Sequence, residues 1–383
     1  MTTDSPFRIS HSSASEARQA AREFHAGVDQ PDMTTVIFFC SSDYDLDALA
    51  DELNRLFGSV PLIGCTTAGE IGSAGYRTQS LSGVSFSAGA GAVVAGCLPD
   101  LEHFEAARGQ TFVQELLQQL DKHVTKNSRA FALLLIDGLS VREEPVVRVL
   151  QGSLGSIHLC GGSAGDDLKF ASTKVFHDGA FRENSAVLLL VSTPLPIRIF
   201  KTQHFISENE RLVVTDADAE NRIVKEINGL PAAEEYARVL GISVEDLTPD
   251  HFAATPVVVV LDGTDYVRSI QKVNPDGTLT FFCAIEDGIV LRVAHCGDIY
   301  ANLEETFDNL RGEIGQPALT LGCDCILRNL EITQKHLKDK VGELFQRHNT
   351  VGFSTYGEQF GGVHINQTFT GIAIGCAPED KHD

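Results

Sequence analysis

One stretch near the start of this chain returns near its end. Gly64-Cys-Thr-Thr-Ala-Gly-Glu70 recurs as Gly352-Phe-Ser-Thr-Tyr-Gly-Glu358, and the match runs on without a gap, Gln79 falling on Gln367 and Gly83 on Gly371. A shorter relative, Gly161-Gly-Ser-Ala-Gly-Asp166, lies between the two. Repetition constrains architecture before any single motif does, because the chain must close the same local structure more than once. The pattern around each copy is strand, helix, strand, then a glycine-rich turn carrying an acid.

The flanking periodicities fill in this plan. Thr35-Val-Ile-Phe-Phe-Cys40 predicts a strand, and Leu46, Leu49, Leu53, Leu56 and Phe57 mark one face of a helix after N-cap candidates Ser41, Ser42 and Asp43. Val60–Gly64 and Gly83–Ser87 read as the next strands. The second unit repeats the plan, with a strand at Ala130–Ile136, a helix bearing Val147, Leu150 and Leu154, and a strand over Ser156–Cys160. A hairpin turns at His177-Asp-Gly179 before the strand Ala186–Val191. Thr193-Pro-Leu-Pro196 breaks the pattern and sets the expected domain boundary. Beyond it come strands at Ile197–Ile206, Val257–Leu261, Leu279–Cys283, Ala318–Gly322 and Phe369–Ile374, with a helix carrying Leu337, Val341, Leu344 and Phe345. The expected fold is α+β: two duplicated domains of mixed, largely antiparallel sheets with helices packed on them. The expected spans are a helical lead-in at 1–31, a first domain at 32–195 and a second at 196–383.

Composition removes several classes of function. The net charge of −22, from 30 basic and 52 acidic residues, repels phosphate backbones and argues against nucleic-acid binding. No window approaches ~18 uninterrupted apolar residues, so no membrane span is expected. Residues 1–10 lack a basic segment followed by an apolar one, which predicts a cytoplasmic chain rather than a secreted one. The nine cysteines are scattered, several inside apolar runs, and read as reduced core thiols.

Few motifs carry chemistry by themselves. There is no phosphate-binding glycine loop, no Cys-x-x-Cys and no Cys-x-x-Cys-His. Gly161-Gly-Ser-Ala-Gly165 fits a nucleophile-elbow pattern, yet Asp166-Asp-Leu-Lys-Phe170 leads into a hairpin rather than the required helix. Thr67 with Glu70, and Thr355 with Glu358, offer a hydrogen-bonding rim for a small polar ligand. They serve equally as turn-formers whose acids hold N–H groups. His364 shares a strand face with Asn366, Thr368 and Thr370, a polar row suited to lining a pocket or to ordinary hydrogen bonding. His204 shares a face with Phe200 and Ile206, the apolar flanking that a noncovalent haem ligand needs and that a satisfied core histidine also has. Cys325 ends a strand, either as a reactive thiol or as a packed one. His251 and His295 are weaker candidates.

These residues resemble the FIST family, sensory proteins with an N-terminal and a C-terminal FIST domain. The segments that carry the likeness are 64–71, 161–168, Ile227-Asn-Gly-Leu-Pro-Ala232, and Gly357-Glu358 with His364-Ile-Asn-Gln-Thr368. Thr202-Gln-His-Phe205, Gly322-Cys-Asp-Cys-Ile-Leu-Arg328 and residues 352–360 look most like the bacterial nitric-oxide-sensing members. That resemblance implies haem b bound without a covalent bond, nitric oxide as the signal, and no enzymatic activity. It implies His204 as first choice of iron ligand and cofactor-binding residue, His364 as second. These residues include no kinase or cyclase module, so signalling by contact to a sensor histidine kinase or a cyclic-di-GMP enzyme is expected, and a homodimer fits such a sensor. The wider family implies an alternative, a sensor for a small amino-acid-like ligand without haem, its pocket lined by Glu70, Glu358, Asn366, Thr368 and Cys325. A hydrolase using Ser163 or Cys325 stands third.

Overall fold

The computed structural model describes residues 5–123, 128–261 and 264–376; the first four and last seven positions of the expected domain spans lie outside the described residues. The chain lays down one unit three times. The first unit is β1 (Phe7–Ser12), α1 (Ala17–Val28), β2 (Met33–Ser41), α2 (Leu46–Phe57), β3 (Leu62–Thr67), a hairpin of β4 (Glu70–Gly72) and β5 (Gly75–Arg77), and β6 (Leu81–Ser87). The second is β7 (Ala92–Pro99), α3 (Ala106–Asp121), β8 (Arg129–Ile136), α4 (Glu143–Leu154), β9 (His158–Ser163), a hairpin of β10 (Val175–His177) and β11 (Ala180–Arg182), and β12 (Ser185–Thr193). The third begins with β13 (Ile197–Thr202). It is then interrupted by an insert comprising β14 (Phe205–Asp218), β15 (Ile223–Ile227), β16 (Leu230–Pro231), α5 (Ala232–Leu240), α6 (Pro249–Ala254), β17 (Val257–Leu261), β18 (Thr264–Arg268), β19 (Ile270–Val273), β20 (Leu279–Phe281) and β21 (Val290–Cys296). It resumes with α7 (Ile299–Ile314), β22 (Pro317–Cys325), α8 (Ile326–Gln334), α9 (Lys338–Arg347), β23 (Thr350–Thr355), a hairpin of β24 (Glu358–Phe360) and β25 (Val363–Ile365), and β26 (Phe369–Gly375).

Each unit gives its hairpin away. The sheet orders are β1-β6-β2-β3-β10-β11, β25-β24-β9-β8-β12-β7 and β13-β26-β22-β23-β4-β5. The second unit's hairpin thus completes the first unit's sheet, the third's completes the second's, and the first's completes the third's. Within each sheet one pair is parallel, β2/β3, β8/β9 or β22/β23, and the other pairings are antiparallel. The architecture is therefore α+β with mixed sheets, and the short relative at 161–166 marks a complete third copy.

Alternation along the strands explains how the three sheets pack. In β8, Phe131, Leu133 and Leu135 join a central core, while Ala132, Leu134 and Ile136 face a second cluster with α3 and α4. The central core takes the inner faces of all three sheets. There Phe39 of the first unit stacks on Phe353 of the third, centroids 4.7 Å apart. The outer faces are covered by α1 and α2, by α3 and α4, and by α7 and α9. Helix α2 is typical of these covers. Asp45 accepts from Ala48 N at 3.0 Å, Leu49, Leu53 and Phe57 are buried, and Gly58 at φ +59° ends the helix. The repeated glycine has a specific cause: a Cβ at Gly64, Gly161 or Gly352 would run into the carbonyl oxygen of its parallel partner, Phe38, Leu134 or Gly322.

The insert has its own core, built from Leu212, Val214, Val224, Ile227, Tyr236, Phe252, Leu279, Phe281, Leu291 and Val293 among others. It sits over the carboxyl ends of the third unit's parallel pair, where Ala253 and Phe282 pack with Cys325, Ile326, Leu327 and Tyr356. The strand expected over Ile197–Ile206 is broken at Gln203 and His204, where the chain leaves the third unit for the insert. No helix among the described residues is long and apolar enough to cross a membrane.

Candidate functional site

The three acids of the glycine turns hold local backbone. Glu70 accepts from Ser80 N at 3.1 Å, from Ser80 Oγ at 2.6 Å and from the Thr67 hydroxyl. Asp166 accepts from the N–H groups of Phe170, Ala171 and Ser172 at 2.7–2.9 Å and from the Tyr356 hydroxyl. Glu358 accepts from Thr368 N at 3.0 Å and Thr368 Oγ1 at 2.8 Å, the equivalents of the Ser80 contacts. The copies then part ways. Thr355, the counterpart of Thr67, donates to Gly357 O at 2.7 Å, and Glu358 Oε1 is left buried with no partner. Burial pushes the Glu70 carboxyl up to about 7, its hydroxyl and N–H donors opposing the rise. It also pushes the Glu358 carboxyl well above the ordinary carboxylate range, against the Thr368 donors.

Around the third turn the unsatisfied polar atoms accumulate. Gln359 and His364 are cross-strand partners in the donated hairpin, and their exposure is 0% and 1%. Gln359 Nε2 reaches Ser163 Oγ at 2.9 Å, Gly357 O at 3.2 Å and His364 Nδ1 at 3.3 Å. An amide nitrogen donates, so Nδ1 accepts and the neutral ring carries its proton on Nε2; this tautomer follows from the network. Burial lowers the His364 pKa and favours that neutral form, Glu144 and Glu143 opposing. Asn366 donates through Nδ2 to Tyr356 O at 3.3 Å. His364 Nε2, Gln359 Oε1 and Asn366 Oδ1 remain without partners, one donor and two acceptors. Few buried polar atoms in folded proteins go unpaired, and a cluster of them asks for water or a ligand.

Of the expected pocket residues, the fold brings Glu358, Thr368, Asn366 and Cys325 to this turn, Cys325 N donating to Thr368 O at 3.2 Å. Glu70 lies at the first unit's turn, paired with Phe353 on the other side of β23. Cys325 is 1% exposed in an apolar cluster, and burial raises its thiol pKa well above the ordinary range. Ser163 is fully buried and accepts from Gln359, with a loop rather than a helix after it.

His204 occupies a different setting from the apolar one its neighbours suggested. Ile206 is 57% exposed, and the imidazole is clasped by charged groups instead. Its Nε2 lies 2.8 Å from Glu331 Oε2 and its Nδ1 lies 2.9 Å from Arg328 Nη1. Arginine only donates, so Nδ1 is the acceptor and Nε2–H donates to Glu331. Burial lowers the His204 pKa, aided by the Arg328 charge and opposed by Glu331. Arg328 in turn donates from Nε to Asp324 Oδ1 at 2.6 Å, and Lys335 Nζ reaches Glu331 Oε1 at 2.7 Å. Sequence reasoning named none of Arg328, Glu331 and Asp324 as site residues. Their signal was present as a line of charge at helical spacing, 324, 328, 331 and 335.

This geometry tests the expected iron ligands. A metal-bound histidine uses one nitrogen for the metal and donates the other N–H to an acceptor. At His204 the second nitrogen faces a buried guanidinium, which has no lone pair to receive a proton. The same conflict bears on the group His204, Cys296 and Glu331, whose ligating atoms lie within 4.8 Å of one another. At His364, Nε2 lies against Gly357, where a Cβ would sit 2.6 Å away. As described, neither residue fits a haem.

Family comparison gives the class. The FIST N domain matches residues 34–230 and the FIST C domain matches residues 232–361. The chain belongs to the FIST family. FIST domains are signal-transduction sensor domains rather than catalytic ones. No curated protein matches the chain.

Proposed function

We propose that this chain is a sensor that takes a small polar ligand of the amino-acid class at the third glycine turn and reports it by contact to a signalling partner, a sensor histidine kinase or a cyclic-di-GMP enzyme. One observation carries the reading: His364 Nε2, Gln359 Oε1 and Asn366 Oδ1 are buried and unpartnered beside one another in sequence and sheet register. A zwitterion supplies what they lack, with ammonium donors for the two amide oxygens and a carboxylate for the imidazole N–H. The haem b and nitric oxide that the nearest resemblance implies rest on that resemblance alone. Because the residues do not fit the group, no step is routed through it.

The test sets the two readings against each other in one preparation. Thermal unfolding is recorded with a panel of amino acids, and haemin is titrated in parallel with spectra in the ferric, ferrous and nitric-oxide-treated states. The proposal expects one amino acid to stabilise the protein, by about 2.7 kcal/mol at a hundredfold excess over its Kd, and expects the effect to vanish in Gln359→Leu. A stoichiometric Soret band that shifts with nitric oxide and is lost in His204→Ala would overturn it in favour of a haem sensor.

A further inference from the structure

Two crossings join the insert to the third unit, and they lie side by side. The chain leaves through Gln203 and His204 and returns through Cys296, Gly297 and Asp298, where Gly297 N donates to His204 O at 2.6 Å. Between these crossings the insert keeps a hydrophobic core that is separate from the central one. It can therefore rotate without repacking itself.

Its contacts with the rest of the protein combine buried polar bonds with an apolar patch. Arg222, 6% exposed, donates to Glu143 Oε2 at 2.6 Å and to Glu144, the first residues of α4 in the second unit, and holds Phe282 O at 2.7 Å within the insert. Arg268 Nη1 reaches His364 O at 3.4 Å, and Gln367 Nε2 reaches Phe252 O at 3.0 Å. The apolar part of the seam packs Ala253 and Phe282 of the insert against Ala68, Cys325, Ile326, Leu327 and Tyr356, with Phe170 ring to ring with Phe282 at 5.9 Å. The seam also leaves Arg268 Nε, Gln367 Oε1 and His364 Nε2 unpartnered. Seams between bodies with separate cores permit relative motion by default unless they are large and hydrophobic, and this one is of mixed character. A buried ion pair adds little net stability because desolvation offsets attraction, yet it defines one closed position.

We propose that the insert, in its described residues 205–261 and 264–296, is a hinged lid over the third glycine turn, turning about the paired crossings and held shut by Arg222 on Glu143 and Glu144. What the lid admits rests on the ligand reading above; the motion does not. Opening exposes His364, Gln359 and Asn366, and closure around a ligand couples occupancy to the position of the insert.

The protein's own cysteines report this motion. Cys325, 1% exposed, lies in the seam's apolar cluster, and Cys283 of the insert, 0% exposed, lies among the seam charges Arg268, Glu144 and Arg222. Cys40, Cys65, Cys160 and Cys323 are equally buried in cores away from it. Native protein is pulsed with a maleimide and each thiol is quantified by mass spectrometry. The lid predicts that Cys283 and Cys325 react at least about tenfold faster than the four core thiols, as local opening outruns global unfolding. Arg222→Met then raises the two seam rates further and leaves the core rates unchanged. Equal rates for all six buried thiols would overturn the proposal. Selective seam labelling with no amino acid binding would keep the lid and remove the ligand reading; binding with uniform labelling would do the reverse.

Discussion

Arg328 is the residue whose removal has the most clearly defined cost. Its side chain and that of Asp324 are both at 0% exposure, with Nε and Oδ1 2.6 Å apart. At an effective dielectric of about 20 and a charge separation of about 4 Å, their attraction is about 4 kcal/mol. Desolvation is comparable: burial raises the Asp324 pKa even with the guanidinium beside it. The intact pair therefore adds little net stability, whereas leaving one member alone costs about 3–5 kcal/mol. Arg328→Met strands the Asp324 carboxylate and also removes the donor to His204 Nδ1, which adds about 1 kcal/mol. Asp324→Asn in the same background relieves the stranded charge, so the double variant should recover at least about 2 kcal/mol, a strong coupling for two residues in contact. The chain has no tryptophan, so urea unfolding is best followed by far-ultraviolet circular dichroism, with m-values compared across the cycle. A cost below about 1 kcal/mol for Arg328→Met, or additivity in the cycle, would refute the reasoning and free His204 from the constraint that excludes it as a metal ligand.

The same packing sets two further outcomes. Glu70 has a folded pKa of about 7 against an ordinary 4.5, with burial as the cause. The folded state thus holds an extra proton in that window. The stabilising contribution is full below pH 4.5 and is lost as pH rises to about 7, about 3 kcal/mol in all. Denaturation midpoints of Glu70→Gln measured from pH 5 to 8 should show a flatter dependence than the parent; an unchanged slope would place the acid outside the core it occupies. Phe39 and Phe353 stack across the first and third units, so Phe353→Ala should cost about 3–5 kcal/mol. A double cycle with Phe39→Ala should return a coupling of about 0.5–1.5 kcal/mol, and zero coupling would mean the rings do not meet.

Much of the unit plan was legible because periodicity is local. The expected strands at 35–40, 83–87, 130–136 and 369–374 lie inside β2, β6, β8 and β26, and the Asp178-Gly179 turn joins β10 to β11. Apolar alternation and glycine placement carry that information in a few consecutive residues. The exchange of hairpins was not legible, since strands of three residues look alike whichever sheet they join. Nor was the environment of His204. Phe200 and Ile206 flank it in sequence, yet the ring meets Glu331 and Arg328 from a helix more than 120 residues away. At the third turn, the row of His364, Asn366, Thr368 and Thr370 expected on one strand face does not form, because β25 ends at Ile365 and the chain turns through Gln367 at φ +53° before β26. That His364 and Asn366 keep unpartnered atoms, while Thr368 holds Glu358, depends on Gln359, Gly357 and Tyr356 in three dimensions.

The ring of donated hairpins also shapes how this protein can be made on a ribosome. The first sheet lacks its last two strands until residues 175–182 emerge, and the second sheet lacks its own until 358–365 do. Meanwhile β4 and β5 wait from early in synthesis for β23 to appear. No unit can be finished and set aside while the next is translated. Each nascent sheet keeps an open edge, the kind of surface that invites mispairing between chains. A chain stopped at the junction of the two FIST domains would leave β9 with its edge bare for good. The duplicated segments have thus become parts of one cooperative object, and selection acting on any single copy must act through its neighbours.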